Sequence, residues 1–305
     1  MVSLYKVSLV AAAMLTAVCV SLSVVVAGEV VPLLWVSPTS DRLNSVFMVS
    51  SSEGWAVGDE GTIIRWNGTD WSNITSPTDI ALISVFMVGS DDGWAVGSLG
   101  TIVRWNGSHW QTLPSPVTKI LRSMFMVSAS DGWAVGQDGT IIRWNGTHWN
   151  SVASPTTEWF YSVYMVGASD GWAVGGAGVI SHWNGTGWSN VTSPISGGAL
   201  DSVFMVSASD GWAVGGNPYV PVSTIIRWNG TDWNTVISPT TDPLNSVFMV
   251  SSDDGWAVGE NGIIVRWTGT DWIPEFPTSM LAPLLTATLV MAILTKTVVK
   301  KRRSQ

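Results

Sequence analysis

Five arginines share one place in the chain's pattern, each directly followed by tryptophan: Arg65, Arg104, Arg143, Arg227 and Arg266. His182-Trp183 holds the corresponding place in a further copy. Clustered arginines are the residue set that clamps a substrate carboxylate, because a planar guanidinium offers paired donors. Such a clamp needs non-equivalent arginines converging on one anion, whereas these recur at one position of successive units. Pairing with a neighbouring carboxylate or an indole face is the expected role. His109, His148 and His182 are the only histidines. Two of them are equivalents in successive units and none has metal-ligand spacing, so no metal site is expected. Asp91-Asp92 and Asp253-Asp254 offer carboxylates to calcium, but turn chemistry explains them more simply. The sequence shows no nucleophile elbow, phosphate loop or paired-carboxylate motif. A hydrolase would have to draw on Glu158, Tyr161 and Tyr219, which are scattered. No catalytic residue and no cofactor is assigned.

The better contact candidates break the pattern. Trp159 lies outside the regular tryptophan positions, in Glu158-Trp159-Phe160-Tyr161, and an insertion runs from Asn217 to Pro221. Loops that interrupt a repeat are where specificity resides. Trp159, Phe160, Tyr161 and Tyr219 are therefore the candidate ligand contacts.

The elements that must position them come from a sixfold repeat. Gly-Trp-Ala-Val-Gly recurs with its tryptophan at 55, 94, 133, 172, 212 and 256. A second tryptophan falls at 66, 105, 144, 183, 228 and 267, and a third five residues later, at 71, 110, 149, 188, 233 and 272. Each copy reads as four short strands. Asp-Gly and Asn-Gly mark tight turns, because these residues tolerate positive φ, and β-branched and aromatic residues fill the strands between. Tandem units of four antiparallel strands specify β-propeller blades, and closing them into a ring removes free sheet edges. The fold class is all-β: a six-bladed propeller with four-stranded antiparallel blades over residues 28–273. Rings of seven or eight blades, made with another chain, are the alternative. Ser37-Pro38 precedes Trp55 by the same distance as Ser76-Pro77 precedes Trp94. The strand Val30 to Ser37 is accordingly expected to complete the sixth blade, since Pro274 at the end of the last copy cannot donate to a ladder. Eighteen tryptophans at equivalent positions are expected to be inter-blade core rather than sugar platforms.

The ends give an address. Residues 1–27 read as a signal peptide, with Lys6, an apolar run and Val25-Val26-Ala27 before the cut; an uncleaved anchor is the alternative. Residues 274–279 form a linker around Pro274-Glu275-Phe276-Pro277, residues 280–299 a transmembrane helix, and residues 300–305 a basic cytoplasmic tail. The body is placed outside the cell, at the surface of the membrane. Its expected partner there is the membrane, engaged through that helix. The chain's single cysteine, Cys19, lies in the signal segment, so disulfides and cysteine–zinc sites are excluded from the body. Between the ends all 22 acidic residues remain, giving a net charge near −14 that argues against nucleic-acid partners. Seven sequons occur, at Asn67, Asn73, Asn106, Asn145, Asn184, Asn190 and Asn229. Asn-Gly serves the turn and Thr the strand, so glycosylation and turn chemistry compete as their explanation.

Gly-Trp-Ala-Val-Gly followed by Gly-Thr-Ile and Trp resembles the BNR and Asp-box propellers, especially the secreted photosystem II assembly-factor type. The Asp box departs from that pattern, because Trp66 stands where its aspartate would be. The C-terminal Pro-Glu-Phe, helix and basic tail resemble the PEF-type sorting signals of archaeal surface proteins. That resemblance implies cutting and re-anchoring; a plain membrane helix is the alternative. The resemblances support fold more than activity. The main expectation is a monomeric surface-anchored module that binds a protein or glycan or serves as scaffold. A BNR-type glycoside hydrolase or lyase, and an assembly factor for a membrane complex, are the alternatives.

Overall fold

A computed structural model describes residues 37–217 and 222–275, together with the strands Ser23–Val26 and Glu29–Pro32. Tyr219, the sorting motif past Glu275, the transmembrane helix and the basic tail lie outside the described residues, as does most of the signal segment. Among the described residues no helix is long and apolar enough to cross a membrane.

The chain forms six four-stranded antiparallel sheets, each built from consecutive strands of one copy. Blade 3 is representative: Leu121–Ser128, Asp131–Gly136, Ile141–Trp144 and Trp149–Ser151. The blades span residues 43–73, 82–112, 121–151, 160–190, 199–236 and 244–274.

The repeat's glycines mark close approaches. A Cβ on Gly136, the last residue of Gly-Trp-Ala-Val-Gly, would overlap the Ile120 carbonyl oxygen just before the first strand. A Cβ on Gly132 would overlap the Met126 sulfur, which lies over that glycine. The residue at the middle of the turn between second and third strands takes positive φ in five copies: Glu60, Leu99, Asp138, Ala177 and Asn261.

Tryptophans fill the junctions between blades. Trp133 of blade 3 is fully buried, 4.8 Å from Trp183 and edge-on to Trp188 at 5.4 Å, both of blade 4. The same trio recurs around Trp55, Trp94, Trp172 and Trp212. A serine hydroxyl near the axis adds a tether, accepting the N–H of the next blade's first strand at 3.1–3.3 Å: Ser45 from Val85, Ser84 from Met124, Ser123 from Val163, Ser162 from Val203, and Ser202 from Val247.

The arginines take both expected partners. Arg143 donates to the two Asp131 carboxylate oxygens at 2.9 and 3.2 Å, with its guanidinium 4.9 Å from the Trp133 ring. Arg65, Arg104, Arg227 and Arg266 pair with Glu53, Asp92, Asp210 and Asp254 at 2.7–3.0 Å and lie 4.7–5.0 Å from the Trp55, Trp94, Trp212 and Trp256 rings. His182 keeps the pattern, 2.8 Å from Asp170 and stacked 4.3 Å from Trp172.

The N-terminal strand departs from expectation. Glu29–Pro32 pairs with Ser23–Val26 in a separate two-stranded sheet, and the sixth blade takes its fourth strand, Trp272–Pro274, from its own copy. The physical reason is the alternation of an antiparallel ladder. Pro274 sits where no N–H is needed, and Glu275 N donates to Ile264 O at 2.8 Å, as Val152 N donates to Ile141 O in blade 3. The equal spacing of Ser37-Pro38 has another basis. Asn73 Nδ2 donates to Pro38 O at 3.0 Å, just as Asn190 Nδ2 donates to Pro155 O. Pro38 thus occupies, before blade 1, the seat that Pro155 occupies before blade 4.

One junction differs from the other five. Among the described residues, no serine bond or ring pair of the kind that joins the other blades links blade 6 to blade 1, and Trp256, Val258 and Ile264 on one side and Leu43, Val46, Met48 and Trp71 on the other stay partly exposed. Their counterparts Trp133, Val135, Ile141, Phe160, Val163, Met165 and Trp188 are all buried. The ring therefore has a seam.

Candidate functional site

The first strands of all six blades surround a central cavity of about 680 Å³. Its wall carries a tier of aromatic rings, Phe47, Phe86, Phe125, Tyr164, Phe204 and Phe248, each 4.9–5.1 Å from the next along this series. Burial raises the Tyr164 hydroxyl to a pKa of about 12, so it stays a neutral hydrogen-bonding group.

Each first strand begins with an irregularity. In blade 3, Leu121 pairs with Gly136 and Ser123 with Val135, so Arg122 is an extra residue without a ladder partner. The same register shift occurs in all six blades. A β-bulge re-aims the side chain of its extra residue. The turn after the second strand helps fix it: Gln137 N donates to Ile120 O at 2.9 Å, as Gly176 N does to Trp159 O at 2.8 Å.

The bulge residues are Asn44, Ile83, Arg122, Tyr161, Asp201 and Asn245. Each is flanked by Leu or Phe on one side and Ser on the other. Around a nearly invariant frame, this position changes in almost every copy. Five of the six side chains line the cavity: Asn44, Ile83, Arg122, Tyr161 and Asn245. They mark the mouth at the end where the first strands start. By strand alternation, that end also carries the blade-connecting segments and the varied turns around Glu60, Leu99, Asp138, Ala177 and Asn261. The opposite end carries the near-identical Asn-Gly hairpins.

Arg122 lines this mouth. It is exposed, with its guanidinium 5.6 Å from the Trp159 ring and 5.6 Å from the Tyr161 ring. Two aromatic faces hold the cation and leave its planar donors directed elsewhere. Asp201, next in the ring after Tyr161, has its carboxyl pushed up to about 6 by burial; the Arg122 charge opposes this and the Glu260 charge adds to it. The mouth thus presents a planar donor, two flat rings and amides, and the Asp201 carboxyl beside it changes charge in mildly acidic conditions.

The sequence candidates separate here. Trp159 and Tyr161 come together with Arg122. Phe160 is fully buried between blades 3 and 4, where leucine stands in the other copies. A bulge turns Tyr161 outward but leaves its neighbour in the core. Glu158 is exposed, and its Oε2 and the Tyr161 hydroxyl would stand 3.5 and 3.6 Å from a methyl added to Gly176. Tyr219 lies outside the described residues. Reading for interruptions of the repeat misses Asn44, Ile83, Arg122, Asp201 and Asn245, which lie inside it. The signal that finds them is the column Leu/Phe-x-Ser, where x varies most.

No family model matches the chain, and no curated protein matches it. Solved structures do. YCF48 bound to D1 peptide superposes with a TM-score of 0.63 at 17% identity, over 78% of this chain and 82% of that one. YCF48 from Cyanidioschyzon merolae gives 0.62 at 16% identity, over 79% and 86%. The WD40 repeats of RRP9 give 0.63 at only 10% identity, over 78% and 81%. The likeness is one of fold.

Proposed function

We propose that this chain is a binding module that holds a segment of another protein at the variable mouth of its channel. The observation that carries this reading is the bulge column, which varies within first strands whose flanking residues nearly repeat. A repeat kept for stability alone has no use for that asymmetry, whereas a ligand without sixfold symmetry needs it. Arg122 between Trp159 and Tyr161 suits a polypeptide, because arginine and aromatic anchors dominate protein-recognition sites. A structural neighbour described with a bound peptide supports the same direction. Service to an assembling membrane complex is one use such binding would have. The terminal segments add that the module is displayed outside the cell and tethered by residues 280–299.

Cross-linking in native membranes tests the reading, with the full chain purified in detergent. A polypeptide is expected to link to the wild type and to His148→Ala at the opposite end. Arg122→Met should weaken capture about tenfold or more, the effect of losing roughly 1.4 kcal/mol. Capture indifferent to Arg122 and Tyr161 overturns the proposal, as does turnover of chromogenic glycosides.

A further inference from the structure

The end of the propeller opposite the variable mouth carries a second regularity. Five hairpins there have the sequence Asn-Gly-Thr/Ser, at Asn67, Asn106, Asn145, Asn184 and Asn229, and all five asparagines are exposed. Each holds its side chain in one way. The Asn145 Oδ1 accepts the Thr147 N–H at 3.0 Å, the Thr147 hydroxyl at 2.8 Å and the His148 N–H at 3.0 Å. The same three bonds recur at Asn67, Asn106, Asn184 and Asn229, at 2.7–3.1 Å. Three donors on Oδ1 draw electron density toward oxygen and fix the amide plane, leaving the Nδ2 group on the outer side. Among the described residues, its hydrogen-bond neighbours are His109 and His148 Nε2, at a marginal 3.5 Å from Asn106 and Asn145.

The other two sequons are built differently. Asn73 Nδ2 donates to Pro38 O and Asn190 Nδ2 to Pro155 O, both at 3.0 Å. Asn190 Oδ1 further accepts the Ser181 hydroxyl at 2.8 Å. Both amide nitrogens tie a fourth strand to the segment that precedes its blade. Modifying either one breaks that tie.

We propose that the folded protein is N-glycosylated at Asn67, Asn106, Asn145, Asn184 and Asn229, and left bare at Asn73 and Asn190. The donor is an oligosaccharide carried on a polyprenyl phosphate or pyrophosphate. Nδ2 attacks the anomeric carbon, forming the C–N bond. The C–O bond to the lipid phosphate breaks, and its electron pair leaves with the phosphate. The amide proton passes to a base of the transferring enzyme. The sugars then form a crown on one end of the ring and leave the variable mouth clear.

Glycopeptide mass spectrometry on the full chain from native membranes tests this. Sugar on the five hairpin asparagines, with Asn73 and Asn190 unmodified, is the expected result. Sugar on all seven, or on none, overturns the proposal. A constructive variant gives a second readout. Thr268-Gly269-Thr270 is the sixth hairpin, and Thr268 already occupies the turn, accepting the Asp271 N–H through Oγ1 at 3.4 Å. Thr268→Asn should gain a glycan and an upward mass shift equal to that of the other hairpins. A well-folded Thr268→Asn protein without added mass overturns the role of the turn.

Discussion

Trp133→Ala is expected to destabilise the propeller by about 3–5 kcal/mol, as large-to-small core changes at tryptophan do. The structure gives the terms. Trp133 is fully buried against Trp183 and Trp188. Burying some 150–250 Å² of indole contributes about 4–6 kcal/mol. Against this, the indole N–H has no hydrogen-bond partner among the described residues. Removing an unpaired buried donor returns about 1–3 kcal/mol. The difference centres near 3 kcal/mol, and the lost ring pairing adds up to roughly 1 more. Trp256→Ala is the matched comparison, because it has the same motif and the same arginine contact, Arg266 at 5.0 Å, yet lies partly exposed at the seam. Its loss should stay below about 2 kcal/mol, since less area leaves water. Guanidinium unfolding of the two variants, followed by circular dichroism of the strands, measures both. Equal losses refute the reasoning about the seam, and a loss under about 1 kcal/mol at Trp133 refutes the assignment of the indoles to the core.

Glycine changes give a sharper contrast. Gly136→Ala drives a methyl into the Ile120 carbonyl and should lower the unfolding midpoint strongly, whereas Gly167→Ala meets nothing within 4 Å and should leave it within error. Asp201 sets a pH dependence. Its folded pKa of about 6 lies above the ordinary 3.8, so the folded state holds the proton more tightly and stability falls as pH rises through that window. Asp201→Asn should flatten the unfolding midpoint between those values, and an unchanged slope removes Asp201 as its source. Hydrogen exchange should show the amides of blades 1 and 6 opening before those of blades 3 and 4, because the seam faces bury less. Uniform protection around the ring counts against that gradient.

The blades were legible in the sequence because every local signal agrees. Asn-Gly and Asp-Gly place the turns, β-branched residues fill the strands, and tryptophans recur at a fixed period. The arginine pairs were legible for the same reason, since one position recurs beside one carboxylate. The site was only half visible. Trp159 stood out as an irregular tryptophan, but a bulge leaves no mark in a hydrophobic pattern, and it decides that Tyr161 faces the cavity while Phe160 faces the core. The N-terminal strand failed for a comparable reason. Spacing located Pro38 correctly beside blade 1, but pairing partners follow from hydrogen-bond alternation, which let Pro274 close the last sheet unaided.

The seam bears on how such a chain changes its size. The trailing faces offer the same tryptophan, valine and isoleucine, and the leading faces receive them with closely similar apolar residues. Any copy therefore resembles any other in the faces it offers its neighbours, and the two ends of the row carry the same residue types. A gene that duplicates or drops one forty-residue unit needs to invent no new interface. The bulge column then supplies one fresh position with each added unit, so growth in number and diversification of contacts proceed by the same event.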